Sequence, residues 1–220
     1  MPISERLTLR YAYERPLPAF QNGQDIRFPE TLVAAMLERF TQPGDTVLDP
    51  FAGLGTSFFV SERMNRIPFG VEADRQRYEW VRDRIESRGN LFFGDSATIG
   101  TLGLPEIDFS ITSPPYMPHW HTWNPLFDGD PRQDGYDTYL ARMAEIYRRI
   151  CMVMKPDACL VVQADNLTDE RFSPLVWDLG KTLGAVMHLE GEILVDWSEN
   201  SENDNPFTHC LVFRNTRPLR

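Results

Sequence analysis

The sequence predicts an α/β fold with a mostly parallel sheet that ends in an antiparallel β-hairpin. Short apolar runs suited to buried strands alternate with longer segments of helical character, which is the pattern of strands joined by helices. The last two predicted strands have no helical segment between them, which indicates a terminal hairpin. The sequence contains neither an internal repeat nor a low-complexity tract.

The predicted elements follow one another from residue 29 onward. Seven strands are predicted at Thr46–Asp49, Pro68–Glu72, Asn90–Phe93, Ile107–Thr112, Ala158–Gln163, Val186–Val195 and Thr208–Arg214. Five helices are predicted at Pro29–Phe40, Ser57–Arg66, Arg75–Ser87, Tyr136–Met154 and Ser173–Leu183. Asp74 is placed to cap the third helix. Residues 1–26 and the loop at 117–135 are not assigned. That loop follows a strand end, where functional loops of open α/β sheets lie.

Length and composition favour one domain over residues 1–220, since the chain has 220 residues of which 42% are hydrophobic. No apolar run approaches the roughly 20 residues of a membrane-spanning helix. Residues 1–10 lack the apolar stretch of a signal peptide, so we expect a cytoplasmic protein without a membrane partner. Cys151, Cys159 and Cys210 lie in apolar runs and are expected to be reduced thiols.

The charge of the chain is acidic, with 32 acidic and 22 basic side chains and a net charge of −10. Residues 1–91 carry 12 basic and 13 acidic side chains, whereas residues 92–220 carry 10 and 19. Such a protein is poorly suited to hold a long polyanion by neutralising its phosphates. If the substrate is a nucleic acid, the contact must be local, weak or shared with another subunit.

A glycine loop at residues 49–56, DPFAGLGT, ends a predicted strand and begins a helix. Gly53 and Gly55 let the backbone pass close to a ligand where a side chain would collide. Phosphate-binding loops gather backbone N–H donors and avoid a carboxylate at their entrance, whereas this loop begins with Asp49 and contains no lysine. The loop therefore favours a cationic ligand without phosphate, such as S-adenosylmethionine.

Two further acidic residues follow predicted strand ends. Glu72 closes the second strand, where a carboxylate can accept hydrogen bonds from both hydroxyls of an adenosine ribose, or can simply face solvent. Asp95 follows the third strand and could accept from an adenine amino group, cap a short helix, or do both.

The most specific feature is the segment TSPPY at residues 112–116, which directly follows a predicted buried strand. Two successive prolines fix the backbone and remove two N–H donors, so that carbonyl oxygens remain without local partners. The segment is therefore predicted to be a stiff turn that presents hydrogen-bond acceptors at a strand end.

With these motifs the chain resembles the amino-type (N4-cytosine and N6-adenine) DNA methyltransferases. Besides DPFAGLGT and TSPPY, the resemblance includes FPETL at 28–32, GVE at 70–72, GDS at 94–96, LVV at 160–162 and THCLVFRN at 208–215. It implies a Rossmann-like class I methyltransferase fold, a seven-stranded sheet with a final β-hairpin, and S-adenosylmethionine bound at the strand ends.

The resemblance also implies residue roles. The expected donor-binding residues are Asp49, Phe51, Gly53, Gly55, Thr56, Glu72, Asp95 and Thr112. The expected catalytic residues are Ser113, Pro114, Pro115 and Tyr116. Ser113 and the Pro114 carbonyl would accept the two N–H bonds of the target amine, and Tyr116 would stack on the extruded base. Serine before PPY is typical of members that methylate cytosine N4, and Asp or Asn of those that methylate adenine N6.

The chain departs from the family, in which sequence-specific members carry a sizeable target-recognition region, because its sole insertion is the loop at 117–135. We expect no separate domain of that kind here, so that substrate selection could come from a protein partner. Trp120 and Trp123 of this loop could stack on a base or could pack the loop onto the domain. His119 and His121 lack further ligands at useful spacing, so no metal site is predicted.

Three functions remain open from the sequence. The first is a DNA amino-methyltransferase of a restriction–modification system, with DNA as its partner. The second is an RNA base methyltransferase, since related tRNA enzymes share the fold and a PPY-type element. The third is a donor-binding subunit that needs a partner for activity.

Overall fold

A computed structural model describes residues 3–23, 27–127, 131–168, 170–197 and 206–216. Its strands are β1 (Ile3–Thr8), β2 (Thr46–Asp49), β3 (Ile67–Glu72), β4 (Leu91–Phe93), β5 (Ile107–Thr112), β6 (Met154–Ala164), β7 (Leu167–Thr168), β8 (Phe172–Ser173), β9 (His188–Asp196) and β10 (Phe207–Arg214). Its α-helices are α1 (Glu30–Phe40), α2 (Thr56–Arg63), α3 (Arg75–Arg82), α4 (Tyr136–Val153) and α5 (Leu175–Gly184). Asp74 caps α3, since its side chain accepts a hydrogen bond from the Arg77 N–H.

Eight of the described strands form one sheet in the order β1-β9-β10-β6-β5-β2-β3-β4. Within it, β10 runs antiparallel to both β6 and β9, and the other described pairings are parallel. The mostly parallel sheet and the terminal hairpin, β9–β10, are therefore confirmed. The sheet has one strand more than the predicted seven. The additional strand is β1, which lies in the N-terminal segment that the sequence left unassigned and pairs with β9.

The sheet is covered by helices on both faces. Alternation along the strands directs Val47 and Val161 to the face covered by α1, and Leu48 and Leu160 to the face covered by α4 and α5. These apolar clusters are buried, and each fully buried aliphatic side chain contributes roughly 1.5–3 kcal/mol relative to exposure. In the described part of the chain, none of the helices is long and apolar enough to cross a membrane.

Two helices end earlier than the periodic pattern predicts. α2 ends at Arg63 because Asn65 adopts a left-handed conformation (φ 59°), which stops the helix before the predicted Arg66. α3 ends at Arg82 because the Glu62 side chain accepts hydrogen bonds from the backbone N–H groups of residues 86 and 87. Both termini are therefore set by contacts that periodicity does not encode.

The N-terminal segment continues along the edge of the sheet at which the parallel strands end. The Leu9 N–H donates to the Asp196 carbonyl at 3.0 Å, and the Tyr11 ring packs edge-on against Trp197. Farther along, the Arg15 guanidinium lies 3.9 Å from the centre of the Phe59 ring, on α2. Residues 24–26 of the predicted N-terminal segment lie outside the described residues.

Docking of β1 requires a glycine at position 191. Gly191 has φ 151°, and a Cβ there would lie 1.7 Å from the Ile3 carbonyl oxygen. We expect Gly191→Ala to displace β1 and to lower the free energy of unfolding by at least about 1 kcal/mol, with the rest of the sheet retained. Hydrogen exchange of residues 3–8 measures this effect. The control is Gly184→Ala, since a Cβ there meets its nearest atom at an ordinary 3.9 Å. Undiminished protection of residues 3–8 in Gly191→Ala would contradict the expectation.

Candidate functional site

Four strands end side by side at one edge of the sheet. In the order β5-β2-β3-β4 neighbouring strands are parallel, so their carboxyl ends lie together. Asp49 ends β2, Glu72 ends β3 and Thr112 ends β5, while Asp95 follows β4 by two residues. The topology thus places the acidic strand ends beside the TSPPY segment, although Asp49 and Thr112 are 63 positions apart in the chain.

The glycine loop connects β2 to α2 through two residues in the left-handed region, Gly53 (φ 54°) and Gly55 (φ 76°). A Cβ on Gly55 would lie 2.6 Å from a methyl carbon of Val81, so α3 packs against the loop too closely for any side chain there. Thr56 begins α2 and is buried. Phe51 is half-buried against the α4-side core. The loop therefore presents its backbone directly at the strand edge.

Asp49 is the centre of the hydrogen bonds that order this loop. Its Oδ1 accepts from the Phe51 N–H at 3.0 Å and from the Thr112 hydroxyl at 2.6 Å, and its Oδ2 accepts from the Ser57 hydroxyl at 2.6 Å. The side chain is 1% exposed. Burial raises the pKa of Asp49 to about 6, and these three hydrogen bonds offset part of that effect. Asp49 thus fixes both the loop and the end of β5.

Glu72 connects the same loop to the end of β3. Its Oε2 accepts from the Gly53 N–H at 2.7 Å, and its Oε1 accepts from the Asp74 N–H at 2.7 Å. Burial raises the pKa of Glu72 to about 7, although both hydrogen bonds and the nearby Arg77 lower it. Each carboxylate oxygen has two lone pairs, so each keeps room for one more donor.

The electrostatics of this edge fit a cationic ligand. Asp49 and Glu72 are buried carboxylates with raised pKa values, and within the described ranges no lysine or arginine side chain forms a hydrogen bond or ion pair with either one. A positive charge nearby favours the ionised form of both groups. The residues present thus suit the ammonium and sulfonium charges of S-adenosylmethionine better than a phosphate.

Asp95 caps the short 3-10 helix at Ser96–Thr101, one of the roles proposed for it from the sequence. Its Oδ1 accepts from the Ala97 N–H at 2.8 Å, and its Oδ2 accepts from the Arg142 guanidinium at 2.6 Å. Arg142 also lies 4.8 Å from the centre of the Phe127 ring. Asp95 therefore connects β4 to α4 and to the loop that follows TSPPY.

The TSPPY segment is a turn in which one proline carbonyl accepts a hydrogen bond from the protein and the other does not. The Pro115 carbonyl accepts a hydrogen bond from the Tyr139 hydroxyl at 2.9 Å. The Pro114 carbonyl has no hydrogen-bond donor among the described residues. The Tyr116 hydroxyl lies 3.5 Å from the Ser113 hydroxyl and donates to the Gln163 carbonyl at 3.4 Å. Burial, together with the negative charge of Asp165, raises the pKa of Tyr116, so the phenol stays protonated.

The loop after TSPPY is held by its own side chains and by β8. Asn124 is buried; its Nδ2 donates to the Gln133 carbonyl and its Oδ1 accepts from the Leu126 N–H. The backbone N–H of His119 donates to the Ser173 hydroxyl at 2.9 Å. Trp120 is half-buried between His119 and His121, whereas Trp123 is 58% exposed. Of these two tryptophans Trp123 thus offers the more open ring, and residues 128–130 lie outside the described part of the loop.

Asp165 is a site carboxylate that the sequence reasoning missed. It directly follows β6, the neighbour of β5, and its negative charge acts on the Tyr116 hydroxyl. Its Oδ1 is buried without a hydrogen-bond partner, and its Oδ2 accepts from the Gln163 side chain at 3.3 Å. Burial raises the pKa of Asp165. The signal was available, because an acidic residue at a strand end was the criterion that selected Glu72.

Metal ligands do not converge in the described residues: no group of three or more His, Cys, Asp or Glu side chains could hold an ion there.

Comparison with known proteins points to one family for the N-terminal part of the chain. Residues 8–83 match the family model for N6/N4 methyltransferases, described as DNA methylase. The resemblance to the amino-type DNA methyltransferases is confirmed. The chain is 38% identical over 64 residues to the Type II methyltransferase M.HpaI of Haemophilus parainfluenzae, and 36% over 59 residues to M2.DpnII of Streptococcus pneumoniae. These matches cover 29% and 27% of this chain but only 20% and 22% of those methyltransferases.

Solved structures show the same fold over most of the chain. TrmN from Thermus thermophilus matches 84% of this chain and 48% of its own, with a TM-score of 0.58 and 16% identity. A putative methyltransferase from Streptococcus mutans, in complex with SAH, matches 86% of this chain and 99% of its own, with a TM-score of 0.55 and 13% identity. At these identities the likeness concerns the fold alone, and that fold is the class I methyltransferase fold predicted with the amino-type resemblance.

Proposed function

We propose that this chain is an S-adenosylmethionine-dependent methyltransferase that modifies an exocyclic amino group of a DNA base, with cytosine N4 as the favoured target. One observation carries the proposal: the Thr112 hydroxyl donates to Asp49 Oδ1 at 2.6 Å, and this hydrogen bond joins the TSPPY turn to the glycine loop. The groups that would hold the donor and the target amine therefore belong to one rigid unit.

The donor half of the proposal rests on the buried carboxylates. S-adenosylmethionine supplies a methyl group on a positively charged sulfur. The free lone pairs of Glu72 suit the two ribose hydroxyls, and the missing side chain of Gly53 leaves room for a ligand at the strand edge. Asp49 acts through the loop that it orders, because its three hydrogen bonds hold the turn and the end of β5. Phe51, Thr56 and Asp95 complete the proposed donor site.

The base half of the proposal rests on two acceptors at the TSPPY turn. An exocyclic amine shares its lone pair with the ring, so its nitrogen is planar and a poor nucleophile. The Ser113 hydroxyl and the unpartnered Pro114 carbonyl are suited to accept the two N–H bonds, which favours a pyramidal nitrogen with a localised lone pair. Pro115 stiffens the turn, and its carbonyl is held by Tyr139. The Tyr116 ring, with Trp120 and Trp123 beyond it, would pack on the base.

The choice of DNA rests on the amino-type resemblance, and the choice of cytosine N4 rests on Ser113. Proteins named Type II methyltransferases match 29% and 27% of this chain, which supports a role in a modification system. The match to the family model ends at residue 83, before TSPPY. A protein partner that contributes target recognition remains part of the proposal, since the chain is strongly acidic.

The test combines calorimetry with methyl transfer. We expect uptake of S-adenosylmethionine and of its demethylated product by calorimetry. We also expect label from tritiated donor in DNA, recovered as N4-methylcytosine after digestion to nucleosides. Separate pools of duplex DNA, single-stranded DNA and tRNA are offered. Label in RNA alone would overturn the DNA assignment, label at adenine N6 would overturn the cytosine assignment, and the absence of donor binding would overturn the whole proposal.

A further inference from the structure

The β7–β8 hairpin and the first turn of α5 expose two large aromatic side chains beside the site. Trp177 is 64% exposed and Phe172 is 49% exposed, with ring centres 5.8 Å apart. The opposite side of α5 is buried through Leu175, Val176, Leu179 and Leu183. Adjacent exposed aromatic rings on a soluble domain mark a binding surface more often than a packing defect.

Two cationic side chains flank these rings. Arg171 precedes Phe172, and Lys181 follows Trp177 by four residues, which places it on the same face of α5. Both are exposed, and neither forms a hydrogen bond or an ion pair with a described residue. By contrast Lys155, the other lysine of the chain, is paired with Asp108 at the opposite edge of the sheet, where β5 and β6 begin. Unpaired cations are therefore available beside aromatic rings in a chain with a net charge of −10.

The strip formed by Arg171, Phe172, Trp177 and Lys181 is continuous with the site. α5 begins at the sheet edge where β5 and β6 end. The His119 N–H donates to the Ser173 hydroxyl at 2.9 Å, which connects the loop after TSPPY to β8. The Tyr136 hydroxyl donates to Asp178 Oδ2 at 2.9 Å, which connects the start of α4 to α5 beside Trp177. A strand that places one base at TSPPY would therefore pass over a strip held rigidly to that site.

We propose that this strip binds the unpaired DNA strand next to the target base, with bases stacked on Trp177 and Phe172 and phosphates near Arg171 and Lys181. The inference rests on the proposed function and names its substrate class. Base faces are free to stack on aromatic side chains only in unpaired strands. The negative net charge of the chain also disfavours binding of duplex DNA, which depends on many phosphate contacts. The strip, with two cationic side chains and two aromatic rings, is suited to bind a few nucleotides of a single strand.

The test measures binding of a fluorescein-labelled 12-nucleotide DNA strand by anisotropy, with the demethylated donor present. We expect Trp177→Ala and Phe172→Ala each to weaken binding about 10-fold or more, since one stacked base contributes about 1–3 kcal/mol. Lys181→Met should lower the slope of log K against log salt by about 0.7, the change for one phosphate contact on a single strand.

The controls are Met152→Ala and Lys155→Met. Met152 is 60% exposed near the end of α4, and Lys155 carries the same charge as Lys181 at the far edge of the sheet. Both should bind the strand within about twofold of the unchanged chain, and circular dichroism checks that each variant is folded. The matching duplex and an RNA strand of the same sequence form two further arms.

The outcomes separate this inference from the proposed function. If the unchanged chain methylates DNA while Trp177→Ala and Phe172→Ala bind the strand normally, only the inference fails. If those variants bind DNA normally but alter sedimentation of the chain, the strip is a protein interface and the inference fails. Tighter binding of duplex or RNA than of the DNA strand would overturn the substrate class. If the unchanged chain binds no nucleic acid, the inference fails, while donor uptake and the site of the label still decide the proposed function.

Discussion

Replacement of Ser113 by alanine should lower the rate of methyl transfer by about 100-fold or more while leaving donor affinity unchanged. Ser113 is proposed to accept one of the two N–H bonds of the target amine, and preorganised hydrogen-bonding groups of this kind typically contribute a factor of about 100–1,000. The Ser113 hydroxyl donates one long hydrogen bond, to the Tyr116 hydroxyl at 3.5 Å, and its lone pairs stay available to accept. Its loss should therefore disturb the fold little. Single-turnover kinetics with saturating tritiated donor measure the effect.

The matched control is Ser110→Ala, three residues earlier and within β5. Ser110 is buried and donates to the Leu48 carbonyl at 2.8 Å, so its removal should lower stability by about 1 kcal/mol without a selective loss of rate. Calorimetry with the demethylated donor should give the same affinity for Ser113→Ala as for the unchanged chain. A Ser113→Ala variant that transfers methyl groups at the normal rate would remove Ser113 from the proposed mechanism.

Replacement of Glu72 by glutamine should change stability and donor affinity in opposite directions. In the folded protein the pKa of Glu72 is about 7, against an ordinary value of 4.5 in the unfolded chain. Because the folded state holds this proton more tightly, the free energy of unfolding falls as the pH rises from 4.5 through about 7. This difference in pKa corresponds to about 3 kcal/mol. Asp49 adds a similar fall between 3.8 and about 6.

Glutamine cannot ionise, so in Glu72→Gln the free energy of unfolding should lack the decrease with pH that Glu72 causes. One backbone N–H, that of Gly53 or Asp74, loses its acceptor at a cost of about 1 kcal/mol. At pH 8 we therefore expect the variant without donor to be about 2 kcal/mol more stable than the unchanged chain. Donor affinity should fall about 10-fold or more, because hydrogen bonds from the ribose to a charged acceptor are lost.

Urea denaturation at pH 5 and pH 8 measures the stability change, and calorimetry measures the affinity. Glu38→Gln serves as the control, since Glu38 is exposed on α1. It should alter neither quantity. Lower stability of Glu72→Gln at pH 8 would contradict the raised pKa of Glu72. Unchanged donor affinity would show that Glu72 serves the loop alone and does not bind the donor.

Much of the site follows from local sequence. The glycine loop, the acidic strand ends and the TSPPY turn are continuous segments, and each was predicted because its residue types restrict the backbone or supply acceptors. Asp165 was missed although it lies just past a predicted strand end, whereas Trp177 was missed because its role depends on neighbours that are distant in the chain. Asp165 lies beside the TSPPY turn because β6 pairs with β5. Trp177 lies beside the site because the Ser173 hydroxyl, four residues before it, accepts a hydrogen bond from the His119 N–H.

The sequence by itself determined the order of the helices and of seven strands, the terminal hairpin and the turn at residues 49–56, because periodicity and turn chemistry act over a few residues. Only the tertiary structure decided that β1 completes the sheet, since this depends on the absence of a side chain at Gly191, far along the chain from Ile3. It also decided that Asp49 and Glu72 accept hydrogen bonds from their own loop. Burial and hydrogen bonding between distant segments set these properties, and the pKa values of both groups follow from them.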